Sequence, residues 1–156
     1  MRPSGRSPAA IPKIAVVRWD GPDGYFVTDD RSLVDLARVH QWLAEESYWA
    51  FGRSIELVRR SIEESLTLGL YAASGEQAGI CRWVTDHVSF AWLCDVFVDR
   101  AHRGRGLGVF MVGVATAHEE VRDVGLQLLA TRDAHDLYRT FGFAGVASHR
   151  FMERRP

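Results

Sequence analysis

Asparagine is absent from the chain, and lysine occurs once, at Lys13. The first absence removes any N-linked glycosylation acceptor, and the second leaves no lysine beyond the opening segment for a Schiff base or for a phosphate loop ending in GK[ST]. Cysteine is scarce too. Cys81 and Cys94 lack the short spacing of a metal or redox pair, and six scattered histidines form no HExxH, so no metal is expected. No apolar run approaches the ~20 residues of a membrane-spanning helix. The opening MRPSGRSPAAIP is too polar for a signal sequence, and with so few cysteines a cytoplasmic protein without a membrane partner is expected.

Excess positive charge is also missing. Nineteen basic residues stand against twenty acidic ones, and three of the basic ones, Arg2, Arg6 and Lys13, lie in the first thirteen positions. The remaining body is acidic, which does not suit a phosphate backbone, so no nucleic-acid partner is expected. What is present is a globular composition, 47% hydrophobic and 25% charged over 156 residues, enough for one domain with its own core. Residues 1–12, rich in Pro, Gly, Ser and Arg without an apolar period, are expected to form a flexible tail, and residues 13–156 a single domain.

Along that domain, KIAVVRW and YFVTDD flank a DGPDG turn and predict two short extended pieces. Asp29 or Asp30 is the expected cap of a helix marked by Leu33, Leu36, Ala37, Val39 and Leu43. Ser54 caps a second helix carrying Ile55, Val58, Ile62 and Leu66. LGLYAAS, AGICRWVTD and VSFAWLCDVFV follow with connections too short for crossovers, so they predict an antiparallel meander. A helix over Leu107–Val121, a strand LQLLAT, a short helix from Asp133 to Phe141 ended by Gly142, and an extended FAGVASHRFMERR complete the chain. The order predicts an α/β fold with a single mixed, mostly antiparallel sheet flanked by helices.

The segment Arg103-Gly104-Arg105-Gly106-Leu107-Gly108 lies between an apolar strand and an amphipathic helix. Glycines permit unusual dihedrals and close ligand approach, and the helix N-terminus offers unpaired N–H groups at a positive dipole end. With two arginines beside it, this is an anion cradle suited to a pyrophosphate. A dinucleotide-binding fold would need a parallel βαβ unit near this loop, and the antiparallel meander that precedes it weighs against that reading.

VFVDRAHRGRGLG, a helix, the strand LLAT and then AHDLYRTFGF together resemble the GNAT superfamily of acyl-CoA N-acyltransferases, with matching element order from about residue 25 to 151. The resemblance implies acetyl-CoA as co-substrate. Its pyrophosphate would lie on Arg103, Gly104, Arg105, Gly106, Leu107 and Gly108, and its pantetheine arm would pair with Val96, Phe97 and Val98 like an added strand. It also implies that Tyr138 protonates the departing thiolate. Thr131 stands where the family often has an asparagine that binds the pantetheine. Some polyamine-acetylating relatives have an acidic pair on the strand before the pantetheine residues. Here that pair reads Cys94-Asp95, leaving Asp95 as the carboxylate on that strand, either catalytic or held in a structural ion pair.

In such a fold the segment between the first two helices overlies the acceptor, which brings in Glu45, Glu46, Tyr48, Trp49 and Phe51. That mixture suits a cationic or aromatic acceptor, although the aromatics could equally close the core. Trp83 and Trp92, on neighbouring strands, either face the same cleft or pack inside it. The expected activity is acetyl transfer to a primary amine of a small molecule or peptide by direct attack in a ternary complex, with a non-catalytic acyl-CoA-binding module as the alternative. The acidic body weighs against a tRNA-acetylating role. A homodimer is left open.

Overall fold

The computed structural model describes residues 15–155; the tail expected at 1–12 lies outside them. β1 (Arg18–Asp20) and β2 (Phe26–Thr28) form a hairpin around a tight helical turn at Pro22–Gly24. Helices α1 (Leu36–Gln41), extended by a wide turn over Trp42–Glu46, and α2 (Ile55–Glu63) follow. Then come β3 (Leu66–Tyr71), β4 (Gln77–Thr85), β5 (Ala91–Val98), α3 (Leu107–Ala117), β6 (Gln127–Leu129) and α4 (His135–Arg139). The six strands make one sheet in sequence order, antiparallel throughout except for the parallel β5–β6 pair. No helix among the described residues is long and apolar enough to cross a membrane.

Each sheet face is covered by helix. α3 is apolar on nearly every side, although Val109 is exposed, and packs Leu107, Met111, Val112 and Ala115 against Leu68, Leu70, Trp83 and Leu93. The Trp83 indole donates to the Ala115 carbonyl at 3.0 Å, so this ring is committed to the core beneath α3. On the opposite face Val39, Leu43, Val58 and Ile62 of α1 and α2 cover Ile80 and Phe97.

Four local expectations are corrected. The cap of the first helix is Asp35, whose side chain accepts from the Arg38 amide, while Asp30 caps a separate turn at Arg31–Leu33. Leu66 opens β3 rather than closing α2, because α2 already ends at Glu63. α3 stops at Ala117, where the extended backbone of His118 carries its buried imidazole to 3.3 Å from Asp29 and ties the helix end to the first hairpin. The final strand does not form. Gly142 takes a left-handed φ of 84°, the Phe143 amide turns back to the Tyr138 carbonyl, and a turn joins Ala147 to Arg150. The outer edge of β6 is thereby left beside a cavity of about 540 Å³.

Candidate active site

β6 pairs with β5 only through Ala91, Trp92 and Leu93, while β5 runs on to Val98. Beyond Leu93 the two strands part. The edge of Cys94–Val98 that faces β6 has no strand partner, so its outward amides and carbonyls, apart from the Val98 carbonyl that Arg103 occupies, are available to an extended ligand arm. Val96, Phe97 and Val98 lie on this edge as expected. The Phe97 ring itself is spent in the other direction, stacked 5.4 Å from Trp42.

A β-bulge shapes the same stretch. The β4 partners pass from Ile80 opposite Phe97 to Arg82 opposite Cys94, so Asp95 and Val96 together face one residue. Asp95 takes the left-handed φ of 52° that this requires, a conformation that aspartate tolerates better than most non-glycine residues. The bulge reverses the alternation: Leu93 faces α3, whereas two positions past the extra residue Phe97 faces α1 and α2.

At the end of β5 the chain enters the glycine and arginine loop. Asp99 caps the turn at Arg100–His102 and accepts from the Trp42 indole at 3.1 Å, which fixes the strand end against α1. The Arg103 Nε donates to the Val98 carbonyl at 2.8 Å, so this arginine closes the loop back onto the strand. Gly104 and Gly106 have φ of 76° and 73°, values that a side chain would strain. Gly106 is the N-cap of α3, and the first helical bond runs from the Phe110 amide to its carbonyl. Among the described residues no acceptor takes the amides of Gly104 through Val109, and a Cβ at Gly104, Gly106 or Gly108 would meet nothing within 4 Å. These glycines therefore keep an approach to the helix end open rather than fit against protein. Leu107 contributes only its amide outward, since its side chain is buried in the core. Arg105 is exposed and makes no ion pair among the described residues, leaving its charge for an anion. The whole arrangement fits a pyrophosphate followed by an extended arm.

α4 brings the remaining group. Tyr138 is buried, edge-on to Phe143, and burial with the nearby Cys81 pushes its phenol up to about 12. It is a proton donor at any working pH. Thr131 accepts from the Ala134 amide at 3.1 Å, so its hydroxyl caps the α4 turn and retains its proton for one further bond. The Cys94 thiol is pushed up to about 11, chiefly by burial. Such a thiol is a poor nucleophile near neutrality, and Cys94→Ala is expected to retain turnover in a CoA-release assay.

A family model described as an acetyltransferase (GNAT) domain matches residues 64–144, which runs from the end of α2 past α4. The chain belongs to the GNAT acetyltransferase family. A solved structure assigned to the same family from Xanthomonas campestris pv. campestris is 35% identical and superposes with a TM-score of 0.81, covering 85% of this chain and 93% of that one. A Mycobacterium tuberculosis protein solved in complex with CoA shares the fold, with a TM-score of 0.64 at 16% identity over 81% of this chain and 75% of that one. A curated relative from Gibberella zeae, provisionally named an acetyltransferase, is 25% identical over 114 residues, and the match spans 62% of this chain and 64% of the relative's length.

Of the two alternatives for Asp95, catalytic or held in a structural ion pair, the geometry shows the ion pair. Asp95 is 4% exposed, and its carboxylate is fully engaged: Oδ2 accepts from Arg53 at 2.8 Å and Arg82 at 2.6 Å, and Oδ1 from the Trp49 indole at 3.1 Å. With both oxygens taken by donors from Arg53, Arg82 and Trp49, Asp95 ties β5 to β4 and to the α1–α2 segment. Arg53 is itself placed by its backbone, because the His40 Nε2 donates to its carbonyl at 3.0 Å and Ser54 caps α2 immediately after it. Asp95→Ala, which orphans both arginines, is expected to cost on the order of 3–5 kcal/mol in denaturant unfolding. A loss under about 1 kcal/mol would show that the tie is dispensable.

Of the other expected acceptor residues, the Tyr48 hydroxyl accepts from the Arg132 amide at 2.9 Å, and the Arg132 guanidinium lies 3.9 Å from the centre of its ring. The α1–α2 segment thus reaches across to the β6–α4 loop. Trp49 stands edge-on to Tyr48 and is 41% exposed, so it does not merely close the core. Glu45 is exposed and makes no ion pair among the described residues, and Glu46 pairs with Arg100. Phe51 is 77% exposed. Trp92 shares a row with Val84 and Leu128 on the face away from α3. Arg53 and Arg82 were not singled out by the sequence reading. The available signal was Arg82 in the middle of an apolar strand, opposite in charge to Asp95 on the next strand of the meander.

Proposed function

We propose that the chain is an acetyl-CoA-dependent N-acetyltransferase that acetylates a primary amine by direct attack in a ternary complex. The observation that carries this reading is the opening between β5 and β6, with an unpartnered helix N-terminus at one end and a protonated phenol on α4. Acetyl-CoA supplies the acyl group as a thioester. The amides of Gly104–Val109 and the Arg105 guanidinium hold the pyrophosphate, and the free edge of Val96–Val98 aligns the arm along the strand. Thr131 donates its remaining proton to that arm.

In the transfer one N–C bond forms and one C–S bond breaks. The nitrogen loses a proton and the sulfur gains one, so the step balances without a further reactant. Tyr138 gives the proton to sulfur as it leaves. Asp95 does not take the proton from nitrogen in this scheme. It holds Trp49 and Arg53 over the acceptor while ordered water carries that proton to bulk solvent.

An alkylamine with a pKa near ~10.4 is mostly charged at neutral pH, so turnover should rise with pH until the amine is neutral. With varied acetyl-CoA and amine, initial rates should give intersecting reciprocal plots. Parallel plots would point instead to a covalent acyl-enzyme. Acetyl-CoA binding without CoA release from any amine would favour the non-catalytic binding module.

A further inference from the structure

Two arginines share one carboxylate at the acceptor end, and the cluster of Arg53, Arg82 and Asp95 therefore carries a net positive charge. No other carboxylate forms an ion pair with either arginine among the described residues. Arg82 spends its Nε on Asp95 and Arg53 one terminal nitrogen, so most of their ten N–H donors have no protein partner. These donors are not sealed in. The Tyr71 hydroxyl is the one fully buried side-chain polar atom without a partner among the described residues, and the Arg53 and Arg82 side chains are 20% and 12% exposed, so their unpaired guanidinium nitrogens remain open to solvent.

The surface beside the cluster is apolar. Arg82 and Cys94 are register partners, and the next row on the same face is Val84, Trp92 and Leu128. The opposite face of these strands, through Trp83 and Leu93, belongs to the α3 core. Val84 is 44% exposed, and α1 and α2 cover only the other end of this face, around Ile80 and Phe97. A cationic fork thus adjoins a partly exposed apolar row, and the Trp49 indole reaches the same carboxylate.

We propose that the acceptor is an amine that also bears a carboxylate and an apolar body, in the manner of an amino acid with an aromatic or aliphatic side chain. The carboxylate is held by the free N–H groups of Arg82 and Arg53, and the body lies on Val84, Trp92 and Leu128. This rests on the N-acetyltransferase reading and makes it specific. Polyamines are disfavoured, because a second positive charge would meet the arginine pair. A bidentate charge-assisted contact is among the strongest that a small acceptor can make.

The test uses matched acceptors on the unmodified protein. L-phenylalanine and L-leucine are compared with phenethylamine and isoamylamine, which lack only the carboxylate, and with spermidine, all read by CoA release. The amino acids should exceed their decarboxylated partners by roughly tenfold or more in kcat/KM. In a second readout, without turnover, N-acetyl-L-phenylalanine should raise the melting temperature of the CoA-saturated protein more than N-acetylphenethylamine does. Arg82→Gln, which leaves Asp95 paired with Arg53, should erase both preferences while the melting shift with CoA alone persists. Equal or better turnover of the decarboxylated amines or spermidine overturns the carboxylate assignment and leaves the acetyltransferase reading standing. Turnover of no amine overturns both.

Discussion

Tyr138→Phe is expected to leave acetyl-CoA affinity unchanged and to lower turnover by ~10²–10⁴-fold, the usual contribution of a positioned general acid. The substitution removes one oxygen and keeps the ring, so the edge-on packing against Phe143 and the fit of α4 in the core survive. The phenol is pushed up to about 12 and stays protonated throughout the working range. Ionisation of Tyr138 therefore cannot produce a fall in rate between pH 7 and 10. The variant should show a lower rate across that whole range, not a displaced profile. An unchanged rate with an amine substrate would mean that water protonates the sulfur and that Tyr138 is packing alone. Linkage gives a separate sign. Because the folded value lies above the ordinary 10, Tyr138 contributes stability that is fully present below pH 10 and lost as pH rises towards about 12.

Gly108→Leu should abolish acetyl-CoA binding without harming the apo protein. Gly108 lies in the first turn of α3, outside the positive-φ positions, and a Cβ there meets nothing within 4 Å. Leucine is a better helix former than glycine by about 0.5–1 kcal/mol, so the apo melting temperature should hold or rise. In the wild type, acetyl-CoA at a hundredfold excess over its Kd should add about 2.7 kcal/mol of stability. The variant should lose that increment because its side chain occupies the approach to the unpartnered amides. Gly106→Leu is a weaker probe, since its φ of 73° would strain the apo fold as well. If Gly108→Leu were still stabilised normally by acetyl-CoA, the cradle would have to lie elsewhere.

The elements that were legible from sequence are those whose signal is local. The meander showed itself through short connections, the Ser54 cap through its place before an apolar period, and the anion loop through its glycines and arginines. Chain ends of elements were less legible. Leu66 continues the helical spacing of Ile62, yet tertiary pairing with Trp83 claims it for β3. The last strand was expected from an apolar, extended-looking run, but the turn joining Ala147 to Arg150 folds that run back before it can pair. At the site, the donor side was written in one contiguous segment. The acceptor side was not, because Arg53, Arg82 and Asp95 come from three elements and their meaning depends on which side chains meet. A carboxylate whose role the strand pattern leaves open becomes, beside two guanidinium groups, part of a cationic cluster.

The Asp95 tie also limits how this scaffold could be re-engineered for other acceptors. It fastens Trp49 and Arg53, and through them the α1–α2 segment, to the bulge whose other side borders the opening between β5 and β6. Diversifying Phe51, which is exposed, leaves those fastenings in place, so a library confined to that position, with Val84 and Trp92 as floor, should change acceptor preference alone. A library that includes Trp49 or Arg53 should yield variants whose KM for acetyl-CoA drifts together with their acceptor choice.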